Sequence, residues 1–564
     1  MFGISRARAV RIWLAALAIA GSSAAIAQVA PDAGTTLRQL EPPVLTLPRK
    51  PPPAVEVDAP ARPALEPAPT IRFILKAFRI SGVTVFAEAE LHALVQDLIG
   101  REVGIADLGD AVGRITGFYS ERGYPLATAY LPAQDIADGL VEILVLEGRF
   151  GALQLLNRAY VSDSVVARHV QGLQGGVVKG SVLERKLLLL HDLPGAAPGR
   201  SVLSPGQAVG ETDLRVELDP GRRAAGAIEL DNYGSRFTGA TRLSGQFDLF
   251  SPLGLADWLS VRAAKGDPGL EYARAGYQVP VGGDGLKLGA IYSRVEYRLG
   301  KDFSALDAKG EAETWSLIGS YPFVRSRRHN LYGKLIAESK DLQDRVDATA
   351  TVSDRKSATA TVSLNGDYFD ALGRGAASAY SLAYTGGRLR VETPAQKAID
   401  DASARTHGRF HRWNAAYARQ QGLTERTSLY VSFFGQKAGK NLDSSEKMIL
   451  GGINGVRAYP QGEAPGDSGY LLNVELRYAF NVAALPGIWQ AAGFLDTGEV
   501  TINENPFTAQ DNRRRLSGGG LGLEWSQPGN FSLRLAIAHR IGNERATAGS
   551  DDRSRGWLQA IKYF

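Results

Sequence analysis

Two short stretches hold the residues whose types and spacing could do chemistry. The first is Gly451-Gly452-Ile453-Asn454-Gly455-Val456-Arg457-Ala458-Tyr459-Pro460, a glycine-rich turn carrying one cation and one aromatic. The second is Gly493-Phe494-Leu495-Asp496-Thr497-Gly498, a strand-like run whose carboxylate falls on the polar face of its alternation. A guanidinium offers a planar fork that matches a carboxylate, so a salt bridge between Arg457 and Asp496 is one reading of the pair. Where such a pair is buried, truncating one partner costs roughly 3–5 kcal/mol. The plainer alternative leaves Arg457 on a solvated external loop and Asp496 lining a pore.

This is the chemistry of a clasp, and the chain offers no catalytic residues beside it. Cysteine is absent, which removes thiolate ligands, thiol nucleophiles and disulfides. No G-x-S-x-G elbow supports a hydrolase, and no G-x-x-x-x-G-K-[ST] loop supports nucleotide binding. The seven histidines are scattered. His92, His169 and His191 fall in the first half, and His329, His407, His411 and His539 in the second. His407 and His411 would share one face of a strand, a polar pair without further ligands. Neither metal nor cofactor is expected, and the enzyme reading is rejected.

Those stretches need a scaffold, and length and composition bound it. A chain of 564 residues is too long for one ordinary core. Its 64 glycines exceed the average share, which suits many turns and close strand approaches. Arg6, Arg8 and Arg11, the apolar run from Ile12 to Ala20 and Ala25-Ile26-Ala27 read as a secretory signal over 1–27. Its removal takes three cations from a net charge of +5, so the basic balance argues little for nucleic acid. No later run reaches the roughly 20 apolar residues of a spanning helix, so any further span must be a closed barrel.

Residues 28–70 carry 11 of the 27 prolines and read as an extended linker. Thr35 to Glu41 allows one or two helical turns, and a spacer is favoured over a segment that plugs a pore. Residues 71–150 read as β-α-α-β-β. Ile71 to Ile80 is strand-like, and Leu91, Leu94, Val95 and Leu98, then Leu108, Val112, Ile115 and Tyr119, mark two helical faces. Strands follow at Leu126 to Leu131 and Leu140 to Glu147. Residues 151–219 repeat the order more loosely, with Leu187 to Leu190 expected in a core. From about 224 the helical period gives way to alternation, as in Leu243, Gly245, Phe247 and Leu249. About sixteen such segments, polar on one face and apolar on the other, read as a barrel in lipid. The stretches 296–310, 387–405 and 438–467 are expected to be external loops. The chain ends on Phe564, a terminal aromatic of the kind that outer-membrane barrels offer to their assembly machinery, although Lys562 falls on the lipid face.

This order resembles the outer-membrane transporters of two-partner secretion, the TpsB or ShlB/FhaC/HecB family of the BamA superfamily. The resemblance rests on Gly123-Tyr124-Pro125-Leu126 through Leu131-Pro132-Ala133-Gln134-Asp135, on Val145-Leu146-Glu147-Gly148, and on the two opening stretches. Val456-Arg457-Ala458-Tyr459 is similar to the family's V-R-G-Y loop motif, with Ala458 where glycine is usual; alanine adopts a positive φ poorly. Gly493, Phe494, Asp496 and Gly498 are similar to its F-x-D-x-G strand motif. The resemblance implies two small α+β POTRA domains (71–150 and 151–219) and a 16-stranded antiparallel transmembrane β-barrel over 220–564. A loop around 451–467 would fold into the lumen, with Arg457 against Asp496.

It further implies an outer-membrane translocator of a Gram-negative bacterium with its POTRA domains in the periplasm. The partner would be an unfolded, TpsA-like exoprotein, a large β-helical adhesin, haemolysin or similar. Capture by strand addition is expected along Leu140 to Leu146 and the second domain. Outer-membrane lipid and the barrel-assembly machinery complete the partners; nucleotide and nucleic acid are not among them. A barrel-assembly factor is the alternative, though such proteins usually carry more POTRA domains. A passive porin would leave residues 71–219 idle.

Overall fold

The computed structural model describes residues 30–40, 45–48, 72–136 and 138–564, and the backbone of 56–57. The expected signal and most of the linker lie outside the described residues. No helix among the described residues is long and apolar enough to cross a membrane.

The first elements are helix α1 (Ala33–Leu40) and the two-residue strand β1 (Glu56–Val57). A first α+β unit follows. It contains β2 (Arg72–Ile74), β3 (Ala77–Ser81), α2 (Glu88–Ala93), β4 (Glu102–Gly104), α3 (Ile105–Glu121), β5 (Thr128–Tyr130) and β6 (Leu140–Leu146). The expected first strand is split at Leu75 and Lys76, and β2 pairs with β4 instead of joining the main sheet. The expected first helix is shorter than its apolar spacing suggested, because a 3-10 turn takes Gln96–Leu98. Leu91, Leu108, Ile115 and Tyr119 nonetheless meet Val141 and Ile143 in one core. Buried Glu147 ties that core together. Thr84 and Val85 donate to it through their amides at 2.7 and 2.8 Å, and Tyr119 through its hydroxyl at 3.0 Å. Burial opposes ionisation of Glu147, but these donors outweigh it and hold the carboxyl below its usual range.

The main sheet of this unit runs β3-β6-β5. β6 is therefore the middle strand, paired with β3 on one side and with β5 on the other. This corrects the expectation that an incoming strand adds along Leu140 to Leu146. Paired on both sides, β6 leaves no free edge, and the open edges belong to β3 and β5.

The second unit holds β7 (Arg149–Asn157), α4 (Asp163–Val170), α5 (Gly180–His191), β8 (Ala196–Pro205) and β9 (Glu211–Pro220). Its sheet runs β1-β8-β9-β7, so Glu56 and Val57 cover part of the β8 edge. Leu187 to Leu190 are all buried.

The barrel then closes from sixteen antiparallel strands. The first are β10 (Ala224–Asp231), β11 (Gly239–Phe250), β12 (Trp258–Pro268), β13 (Leu270–Val281), β14 (Leu286–Arg298) and β15 (Ala308–Arg325). Next come β16 (His329–Val346), β17 (Thr351–Asp370), β18 (Ala376–Val391), β19 (Gly408–Gly422) and β20 (Thr427–Ala438). A two-residue ladder, β21 (Met448–Ile449) with β22 (Pro465–Gly466), lies inside the following loop. The wall resumes with β23 (Ser468–Val482), β24 (Leu485–Thr501), β25 (Arg513–Gln527), β26 (Phe531–Arg540) and β27 (Ser554–Tyr563).

β10 pairs with β27 to seal the wall. The Phe564 amide donates to the Gly226 carbonyl at 3.0 Å, and the Gly226 amide donates back at 2.9 Å. Gly226 lies beneath the Phe564 ring, which leaves no room for a side chain there. Lys562 faces out near this end and reaches the Asn530 side chain in the adjoining turn, which keeps its charge out of hydrocarbon.

The second unit feeds β10, so the short turns and the C-terminus share its end. The stretches 299–307, 392–407 and 439–467 lie at the opposite end, as expected for external loops. His407 precedes β19 and accepts from the Val391 amide at 3.1 Å, so it does not share a strand face with His411. That corrects the expected pairing of the two.

Candidate functional site

Arg457 sits at the tip of the loop between β20 and β23, which folds back inside the barrel. The local reason is a glycine turn. Gly451 and Gly455 leave no room for a Cβ against Pro460, Glu463 and Leu450, and Gly452 has φ +113°. The tip packs as a small core of Met448, Leu450, Val456, Ala458 and Tyr459 against Phe494, Val500 and Leu516 of the wall.

From that core the Arg457 guanidinium reaches the wall along three directions. Nε and Nη2 donate to Asp496 Oδ2 and Oδ1 at 2.9 and 2.7 Å. Nη1 donates to Glu475 Oε1 at 2.7 Å. The planar group stacks 3.5 Å from the centroid of the Phe494 ring. The Arg457 amide adds a bond to Asp496 at 3.1 Å, and its carbonyl accepts from Trp557 at 2.8 Å. Asp496 is fully buried at its side chain. Asn473 donates to it at 2.8 Å and to the Gly455 carbonyl at 3.0 Å, tying wall and turn together.

The geometry brings together Arg457, Asp496 and Phe494. It also adds Glu475, Asn473 and Trp557, which the motifs alone do not name. The first two were accessible from alternation: on β23, residues 473, 475 and 477 share the polar face, and Asn473 and Glu475 pair opposite Asp496 and Phe494. Trp557 was not, since its β27 lies far along the chain.

Ala458, the one departure from the loop motif, is accommodated without backbone strain. It is not among the residues with positive φ, so the turn does not require glycine there. Its methyl is buried and presses on Gly518 of β25, where a side chain would meet it. The substitution costs space, and Gly518 supplies it. Tyr459 donates to the Glu544 carbonyl at 3.0 Å. Just beyond, buried Glu463 accepts from Arg514 at 2.5 Å and from the Thr547 and Ala548 amides at 2.8 Å. The final external loop is thereby fastened to the lumen loop.

A second element occupies the lumen. The expected spacer contains α1, and α1 packs on Tyr272, Tyr297, Ala312 and Leu342 of the inner wall and on Phe237 of the loop between β10 and β11. This corrects the preference for a spacer. The helix has only eight residues, too few to be stable alone, and it exists because the barrel buries Ala33 and Leu37. Asp32 caps it by accepting from the Thr35 amide at 2.8 Å. The same carboxylate accepts from Arg355 at 3.0 Å and Ser444 at 2.6 Å. Arg355 also binds Asp344 at 2.6 Å and Asp443 at 2.5 Å, so one wall guanidinium gathers helix, wall and loop. At its far end Gln39 lies over Gly462 of the lumen loop.

The second unit is docked beneath the same lumen. Asp192 and Arg325 form two bonds of 2.7 and 2.8 Å, and Lys186 binds Asp284 at 2.9 Å. The Ser162 amide donates to the Gly254 carbonyl, in the turn between β11 and β12, at 2.8 Å.

Comparison with known proteins agrees with this architecture. Residues 210–525 match the model described as haemolysin secretion/activation protein ShlB/FhaC/HecB, and residues 73–148 match the ShlB-type POTRA domain. The chain is similar to the heme/hemopexin transporter protein HuxB of Haemophilus influenzae, 27% identical over 485 residues and 84% of each chain. It is also similar to the hemolysin transporter protein ShlB of Serratia marcescens, 24% identical over 433 residues and 75% of each. Among solved structures, CdiB from Escherichia coli superposes with a TM-score of 0.73 at 22% identity, over 90% of this chain and 93% of that one. That last likeness is one of fold.

Proposed function

The chain belongs to the ShlB/FhaC/HecB family of haemolysin secretion/activation proteins, and from that premise we propose how its parts divide the work of secretion. It is an outer-membrane transporter of two-partner secretion, with its POTRA region in the periplasm. Its cargo is a TpsA-like exoprotein, taken as unfolded chain; a large β-helical adhesin or haemolysin fits the hemolysin and hemopexin relatives. The family's members are transporters, and this chain works without catalysis.

The second α+β unit acts as a second POTRA domain, and the two receive the cargo at an open sheet edge. In the first unit those edges are β3 and β5. Asp192–Arg325 and Lys186–Asp284 hold the second domain under the barrel mouth, so that a captured chain meets the lumen. The resting lumen is closed by α1 and by the loop carrying Arg457. The loop is a fixed clasp, whereas α1 is the part that leaves. One observation carries this reading: two independent segments, one at the N-terminus and one between β20 and β23, are both bonded to the inner wall and to each other. During biogenesis, Phe564 is the residue presented to the barrel-assembly machinery, and lipid surrounds the finished wall.

Mass spectrometry of the culture medium and cell surface, with and without the protein, tests the function. Loss of one large exoprotein with other barrels unchanged is the expected result. A general fall in outer-membrane barrels would make this an assembly factor. Removing residues 72–220 should abolish export and leave a membrane-resident channel; export that persisted would overturn the receptor role.

A further inference from the structure

On β18 the wall reverses its pattern toward the external end. Lower on the strand, Leu382 and Tyr384 face out, 48% and 39% exposed, while Ser381 and Thr385 face in and are buried. Higher up, Leu389 and Val391 face in and pack with Phe410, Ala438 and Leu442, while Arg388 and Arg390 face out. Charged side chains on the outer face are destabilising at hydrocarbon depth and tolerated near the interface. The reversal therefore fixes where hydrocarbon ends: between Tyr384 and Arg388. Tyr384 and Trp413, 4.8 Å apart, lie just below it, the level at which membrane barrels carry aromatics.

Four cations share the level above. Arg388 stands directly opposite Arg409, and Arg390 directly opposite Lys356. Neighbouring strands are about 4.8 Å apart, so like charges face one another, which is destabilising without intervening anions. Lys356 has Asp341 at 3.8 Å. Among the described residues, Arg388, Arg390 and Arg409 have no ion-pair partner. Of the nearby carboxylates, Asp354 accepts from Gln343 at 2.7 Å, and Glu392 stands one outward position nearer the loop.

A forked guanidinium suits phosphate oxygens. Three of them at headgroup height, above an exposed apolar and aromatic wall, suit a phosphate that carries acyl chains. We propose that Lys356, Arg388, Arg390 and Arg409 bind the phosphorylated headgroup of an outer-leaflet lipid, with its acyl chains laid on Tyr384 and Trp413. The lipid neutralises the cross-strand repulsion and braces the strands whose inner face holds Leu442, next to Asp443 of the lumen cluster.

The test uses the full-length protein in detergent, titrated by native mass spectrometry with bis-phosphorylated lipid A and with the same lipid stripped of its phosphates. The phosphorylated form should bind at least about tenfold more tightly. Arg388→Gln, Arg390→Gln and Arg409→Gln together should erase that preference, while a control set on β12 and β13, Lys265→Gln with Glu271→Gln, leaves it intact. Equal binding of the two lipids by the unaltered protein would overturn the proposal even if the triple variant failed to fold. Displacement of the lipid by millimolar inorganic phosphate would equally overturn it, since the site would then read the anion alone.

Discussion

The lumen is filled by two segments that are held by the same chemistry arranged in opposite senses. In the loop, the arginine sits on the inserted element and the carboxylates on the wall. Around α1, the arginine sits on the wall and one of its carboxylates on the inserted element. Withdrawing the loop would leave Asp496 with Asn473 alone and would strip Arg457 of both Asp496 and Glu475. Withdrawing α1 removes Asp32, but Arg355 keeps Asp344 and Asp443. Leaving a buried charge unpaired is what makes breaking such a cluster expensive. The wall is thus indifferent to the departure of the helix and intolerant of the departure of the loop. Attachment confirms the difference: the loop continues into the wall at both ends, the helix at neither.

The largest effect tests that asymmetry directly. Arg457→Ala or Asp496→Ala should cost the loop attachment roughly 3–5 kcal/mol, less where water enters the lumen. Secretion should fall sharply while the barrel stays inserted and heat-modifiable. Normal secretion in both variants would remove the clasp from the mechanism. Because Arg457 is shared by Asp496 and Glu475, Glu475→Gln should give a smaller loss of the same kind.

A smaller effect is expected at the helix. Asp32→Ala removes a cap, about 1 kcal/mol, and a charged hydrogen bond to Arg355, about 1.5 kcal/mol at this partly exposed carboxylate. Planar-bilayer recordings should show a larger and more frequently open channel, with secretion retained. Deleting residues 31–40 should give the same phenotype more strongly. If instead the deletion closed the channel or stopped the barrel assembling, α1 would be part of the frame and the comparison would fail.

What was legible in the sequence follows the same division. The clasp could be read because two family-like motifs stand together in the chain, while alternation by itself only places Asp496 on the polar face and would equally allow it to line a pore. The strand number could be read from that alternation. One or two helical turns were legible over Thr35 to Glu41, but their seat in the lumen was not, because Ala33, Leu37 and Leu40 offer only three apolar contacts in a proline-rich stretch, and what holds them is wall and loop residues far along the chain. The position of β6 within its sheet was also hidden, since an inner strand and an edge strand with one buried face carry the same alternation. Where the rule of polar inside and apolar outside breaks, at Leu389 and Arg390, the cause is a loop packed against the inner face above the hydrocarbon.

The smallest effect concerns Ala458, where the family's usual glycine is absent. If glycine were needed for its backbone freedom, Ala458→Gly would strengthen the clasp. The backbone there lies outside the left-handed region, so the freedom brings nothing. Glycine would instead lose the methyl packed on Gly518, about 0.8 kcal/mol, and add backbone entropy to the free loop, roughly 0.5–1 kcal/mol. Ala458→Gly should therefore loosen the loop slightly, seen as a modest rise in channel openings with secretion almost unchanged. Gly518→Ala should be worse in the present chain, because its new methyl would meet that of Ala458. Introduced together with Ala458→Gly it should be partly relieved, giving a coupling that separate sites would not show. Strict additivity of the two changes would mean that the methyl contact does not set the seat of the loop, and the tip would have to be positioned by Arg457 alone.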